Sequence, residues 1–158
     1  MQKITPFLWL DNNAEEAMNF YTSVFRDSKV LGVTHYGDAG PGPKGSVMTV
    51  TFTLNGQDIT LLNGGPLFPQ SPAFSFAVAV DTQEELDDLW DKLLSGGGKP
   101  SQCGWLTDRF GVSWQIVPKI FFELSQNSDP KKSQRVMEAV LKMVKFDIAA
   151  LKKAYEAG

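Results

Sequence analysis

Imidazole and thiol groups, the usual soft metal ligands and nucleophile–base pairs, are scarce in this sequence of 158 residues. There is one His, His35, and one Cys, Cys103. A single His removes every site that needs two imidazoles, including paired-His zinc proteases and multi-His metal centres. A single Cys excludes an internal disulfide framework and any cluster held by four cysteines, and it fits a reducing cytoplasm. His35 falls on a strand beside a Gly/Pro loop. It is a candidate general base, because an unperturbed imidazole titrates near about pH 6.5; the plainer reading is a half-exposed strand residue. Cys103 has no Cys–His spacing that would supply a base or lower its pKa, so a buried or cleft-lining small residue is expected. Asp108-Arg109 reads as a turn with a solvated salt bridge, with an anion-binding role for Arg109 as the alternative.

The charge balance is 15 Lys+Arg against 18 Asp+Glu, net -3. That leaves no basic face for nucleic acid. With 42% hydrophobic and 21% charged residues, the composition is that of a globular protein rather than a disordered or fibrous one. The opening MQKITPFLWLDNN lacks the apolar stretch of a signal peptide, and no run approaches the roughly 20 apolar residues of a membrane span. A cytoplasmic protein with no membrane partner is expected.

The elements that would position these residues can be read from periodicity. Residues 3–10 are strand-compatible. Asn13 and Glu16 form a capping-box pattern, and Ala17, Phe20, Tyr21, Val24 and Phe25 predict a helix to about Arg26. A strand over Val30 to Tyr36 meets the Gly/Pro loop Gly37 to Gly45. The alternating run from Ser46 and the strand Ile59 to Asn63 flank Asn55-Gly56, a strong hairpin turn. Gly64 to Pro72 connects two halves. A strand follows at Phe74 to Val80, then a capping box at Thr82 and Glu85. Leu86, Leu89, Trp90, Leu93 and Leu94 stripe a second helix, which stops at Gly96-Gly97-Gly98. Short strands are predicted around 102–107 and 112–117. Beyond Pro118, Asp129-Pro130 opens a helix striped by Val136, Val140, Met143 and Val144, and Asp147 caps a last one with Ile148 and Leu151 apolar.

The halves align: Leu10-Asp11 on Val80-Asp81, Glu15-Glu16 on Glu84-Glu85, Phe20-Tyr21 on Leu89-Trp90, Gly56 on Gly111. Each unit is too small to bury its own sheet face alone, so two must pack together or against a second chain.

PFLWLDNNAEEAMNFYTSVF, GSVMTVTFTLNG, LLNGGP and CGWLTDRFGVSWQIVP together resemble the PhnB-like family, often named for a 3-demethylubiquinone-9 3-methyltransferase. That family lies within the vicinal oxygen chelate superfamily of glyoxalases, bleomycin resistance proteins and dioxygenases. The likeness extends over essentially the whole chain, tail helices included. It implies an α+β fold of tandem βαβββ modules whose curved mixed sheet surrounds a cleft, followed by C-terminal helices. The expected organisation is one domain over residues 1–158: module 1 about 1–64, linker 65–72, module 2 about 73–118, helical tail about 119–158.

In many members of the superfamily that cleft holds a divalent metal on His or Glu from the first and last strands of each module. Those positions fall here at Thr5 and Ser75, give or take one residue (Pro6 and Phe74 are the neighbours), and at Thr60 and Gln115, none of them His, Asp, Glu or Cys. Hydroxyls and an amide are poor ligands for a divalent ion, so no metal and no cofactor are expected. The glycine run 96–98 follows a helix, which does not suit the strand-to-helix turn that holds a cofactor in Rossmann-type methyltransferases. Phe7 and Trp9 share the parity of Thr5, and Trp105 is a further candidate for lining the cleft; the competing reading is that two packed curved sheets need large side chains. Trp90 belongs to the core. Gln115, if it faces the cleft, orients a ligand through its amide. The leading expectation is a homodimeric protein whose aromatic-lined cleft binds a small apolar or planar molecule through Thr5, Phe7, Trp9, Thr60, Ser75, Trp105 and Gln115. The alternatives are a metal-independent enzyme, the methyltransferase of the family name, or an interaction module using the tail.

Overall fold

The computed structural model describes residues 2–126 and 128–157. The chain divides into two compact units, one reaching Gln70 and the other starting at Ser71.

The first unit contains β1 (Phe7–Leu10), α1 (Ala14–Val24), β2 (Ser28–His35), β3 (Val47–Leu54) and β4 (Gln57–Asn63). They form a sheet in the order β1-β4-β3-β2, with β1 parallel to β4 and the other pairs antiparallel. Asn55 and Gly56 turn the chain between β3 and β4 at φ 46° and 80°. Asn-Gly tolerates this pair of positive φ values, whose twist matches the strands it joins. The period of two then sorts side chains onto opposite faces. Leu8, Leu10, Val50, Phe52, Ile59 and Leu61 are buried on the face that α1 covers, and Tyr21 of the helix stacks on Phe52 with ring centroids 6.3 Å apart. The other face presents Phe7, Trp9 and a series of threonines.

One expected device is replaced. Asn13 makes no capping hydrogen bond. Instead the Ala14 N–H donates to Asn63 Oδ1 at 2.8 Å, and Asn63 Nδ2 donates to the Val47 carbonyl at 3.1 Å. The unpaired N–H of a helix start donates to any well-placed oxygen. Here the last strand supplies it, which fixes the helix against the sheet. The chain leaves β2 through Tyr36, whose buried hydroxyl donates to the Asn63 carbonyl at 2.6 Å.

The second unit repeats the pattern with β5 (Ser75–Val80), α2 (Gln83–Leu94), β6 (Lys99–Pro100), β7 (Trp105–Thr107) and β8 (Ser113–Pro118), ordered β5-β8-β7-β6. Two-residue β6 went unread in the sequence, because a Lys-Pro pair carries no alternation. Thr82 caps α2 as expected, accepting from the Glu85 N–H at 3.1 Å, while Glu85 reaches back to the Asp81 N–H at 2.9 Å. Leu86, Leu93, Leu106 and Ile116 are buried in its core, with Phe76 and Trp114 rings 5.0 Å apart.

Three further helices, α3 (Lys119–Ser125), α4 (Pro130–Val140) and α5 (Ile148–Glu156), pack on this second unit. α3 lies inside the tail expected to be helical from about residue 119, although no separate helix was read there, and α4 stops short of its expected stripe. Val136 and Val140 are buried, but Met143 and Val144 lie beyond the helix end. Their carbonyls accept from the N–H groups of Cys103 at 2.9 Å and Gly104 at 2.8 Å. Gln83 of α2 donates to the Phe146 carbonyl at 3.1 Å and accepts from the Ile148 N–H at 2.9 Å. The Lys145–Asp87 ion pair spans 2.7 Å, and hydrogen bonding from Lys145 and then Gln83 holds the Asp87 carboxyl below its usual range. Among the described residues no helix is long and apolar enough to cross a membrane.

Candidate functional site

In the first unit the face opposite α1 is built from strand register. One row across β2, β3, β4 and β1 reads Gly32, Thr51, Thr60, Phe7; the next reads Thr34, Thr49, Leu62, Trp9. Phe7 is 61% exposed on this face while its neighbour Thr60 is only 4% exposed. Thr60 Oγ1 meets Thr51 Oγ1 at 3.0 Å. Thr5 lies ahead of β1, and its hydroxyl donates to the Gln2 carbonyl at 3.2 Å. The register therefore sets Phe7, not Thr5, beside Thr60.

Trp9 is held by the segment after β4. Its indole N–H donates to the Gly65 carbonyl at 2.8 Å, Phe68 meets it edge-on at 5.1 Å, and Gln70 Nε2 donates to its carbonyl. Gly64 lies so near the indole that any Cβ there would overlap the ring. Trp9 thus has one orientation available, which is what a stacking surface requires.

The corresponding face of the second unit carries Ala77, Gln115 and Trp105 in one register row, with Ser75, Ser113 and Thr107 in the next. Gln115 Nε2 donates to Ser75 Oγ at 2.9 Å, so these two are bonded to each other and the Gln115 carbonyl oxygen remains the group able to accept from elsewhere. Trp105 is half-buried beside them.

His35 is exposed at the end of the edge strand β2, in register with Val47. Cys103 takes φ 56° and its thiol points to the Val140 carbonyl at 3.6 Å. Asp108 overturns the expected solvated turn. It is 3% exposed and accepts from the N–H groups of Phe110 at 2.8 Å and Val112 at 3.1 Å and from Trp114 Nε1 at 2.8 Å. Arg109 folds over the Phe110 ring, 5.0 Å from its centroid, and packs on Gly96. The glycine run ends α2: Gly98 N–H donates to the Leu94 carbonyl at 2.9 Å, with Gly96 and Gly97 at φ 77° and 118°.

The donor chemistry is consistent across both faces. Among the described residues no three His, Cys, Asp or Glu side chains come together. The positions expected to hold a divalent ion in this fold carry hydroxyls and one amide, a set that does not suit such an ion. The threonine pairs were missed in the sequence, although Thr49, Thr51 and Thr53 alternate along one strand and had to share a face.

Two βαβββ units of identical strand order define a fold of the vicinal oxygen chelate class. The chain belongs to the PhnB-like family whose model is described as 3-demethylubiquinone-9 3-methyltransferase, which matches residues 2–117; α3, α4 and α5 lie outside that match. It is similar to a PhnB protein from Bacillus cereus, provisionally named a 3-demethylubiquinone-9 3-methyltransferase, at 40% identity over 74% of this chain and 99% of that one, with a TM-score of 0.66. A protein from Pseudomonas aeruginosa shares 22% identity over 75% and 98%, TM-score 0.60. The fosfomycin resistance protein FosX of Listeria monocytogenes, crystallised with Mn(II) and sulfate, shares the fold at 12% identity over 73% and 91%, TM-score 0.53. No curated protein matches the chain.

Proposed function

We propose that the open sheet face of the first unit is a metal-independent binding surface for a small apolar or planar molecule. The observation that carries this reading is Phe7, 61% exposed on a sheet face next to an indole fixed by its neighbours. A large apolar side chain left in water has an unfavourable hydration that a ligand removes, and aromatic rings add specific stacking geometry. Trp105 with the Ser75–Gln115 pair gives the second unit a smaller version of the same chemistry. Thr5 stands at the entrance to β1 as a peripheral contributor. Since this chain carries Thr5, Thr60, Ser75 and Gln115, and no carboxylate or imidazole, where the resemblance places metal ligands, binding proceeds through side chains without a metal ion.

Phenol serves as a probe. Replacing Phe7 with Ala is expected to weaken phenol binding about tenfold, the worth of one aromatic contact and the area it buries, with the melting temperature little changed because Phe7 is not in the core. Undiminished phenol affinity measured by calorimetry would contradict the reading. The two units act as modules of one domain, the protein works in the cytoplasm, and it assembles as a homodimer; sedimentation equilibrium that gives only monomer at micromolar concentration would refute the dimer.

A further inference from the structure

The threonine rows of the first sheet add a chemical preference to that binding surface. Thr51 pairs with Thr60 at 3.0 Å and Thr34 with Thr49 at 2.6 Å. In a pair of hydroxyls one O–H donates to the other oxygen, which leaves the second proton and several lone pairs for another partner. Thr60 is buried, Thr49 and Thr51 are half-buried and Thr34 is exposed. The spare protons can therefore turn outward from the accessible members of each pair. A Cβ built on Gly32, in line with Thr51, would meet nothing within 4 Å, so the space beside that hydroxyl is open. Neither register row contains a charged side chain.

We infer that this face takes an uncharged ring compound bearing hydroxyl or carbonyl oxygens, its ring against Phe7 and an oxygen on the Thr51–Thr60 pair. An anion placed here would lose hydration with no cation in either row to replace it. A bare hydrocarbon ring would satisfy Phe7 but leave the hydroxyl protons facing nothing. Adjacent strands lie about 4.8 Å apart, so a ring lying beside Phe7 over β4 brings an oxygen onto the Thr51–Thr60 pair of the same register row, whereas the Thr34–Thr49 pair lies one strand and two residues further on. The inference rests on the open face being the binding surface.

Three probes of one ring size separate the possibilities: toluene, resorcinol and benzoate, each titrated into the 15N-labelled full chain with amide shifts recorded. Resorcinol is expected to bind about tenfold tighter than toluene, since a site built to hydrogen-bond rejects the analogue lacking the oxygens, with benzoate the weakest. In the double variant Thr51→Val and Thr60→Val, resorcinol falls to the toluene level while toluene is unchanged. Where that variant does not fold, Thr51→Val alone is read in the same way. Toluene binding as tightly as resorcinol, benzoate binding tightest, or a valine variant that keeps the preference would overturn the inference while leaving the binding face intact. No shift on β1, β3 or β4 with any probe would overturn both.

Discussion

The Asp108→Ala variant is expected to melt roughly 10 °C below the parent. Asp108 is buried and holds three donors: two turn amides and the Trp114 indole N–H. Removing the carboxylate leaves all three facing a low-dielectric interior, and each buried unsatisfied donor costs about 1–3 kcal/mol. The terms do not add fully, so a total of about 3–5 kcal/mol is expected. Asp108→Asn separates the contributions. Its single amide oxygen can serve either the turn or the indole, and the NH2 then faces a donor, so an intermediate loss is expected. Trp114→Phe removes the indole partner and, combined with Asp108→Asn, should lose less than the sum of the two singles. Thermal unfolding followed by circular dichroism gives these values; a melting temperature within 2 °C of the parent for Asp108→Ala, less than about 1 kcal/mol, would show that the carboxylate organises nothing.

Gly64→Ala is expected to act on the binding face itself. Gly64 does not need positive φ, so the added methyl group matters only through space, and that space is filled by the Trp9 indole. The indole cannot move without giving up its bond to the Gly65 carbonyl and its edge contact with Phe68. Overpacking of this kind costs about 1–3 kcal/mol. Phenol affinity should fall with stability, because the displaced ring no longer presents one face beside Phe7. Trp9→Leu in the same chain relieves the overlap. The double variant should therefore be more stable than Gly64→Ala alone, without recovering phenol binding. Equal stability of Gly64→Ala and the parent would mean that the indole is free to turn.

Much of the fold was legible because each unit uses local devices: alternation in β3, Asn55-Gly56 at its hairpin, and Thr82 with Glu85 at the start of α2. What failed was non-local. Asn13 looked like a cap, but Asn63, distant in sequence and adjacent in space, took the role. Asp108 looked like a surface turn residue, because nothing in Asp-Arg-Phe-Gly signals that Trp114 will fold back onto the carboxylate. Met143 and Val144 continued a helical period, yet their carbonyls were worth more as acceptors for Cys103 and Gly104 than as another helical turn. At the candidate site, the parity of Phe7 and Trp9 was readable from β1 alone. The pairing of Phe7 with Thr60, and of threonine with threonine, needed the register between strands, which no single strand contains.

The most direct test combines the surface and its independence from metal in one titration. The 15N-labelled chain, dialysed against EDTA, is titrated with phenol and followed by amide and indole resonances. Saturable shifts at Phe7, at the Trp9 indole and at Thr51 are expected, unchanged when Zn(II) is then supplied. Shifts that appear only after Zn(II) is added, or that fall elsewhere in the chain, would contradict the proposed role of this face.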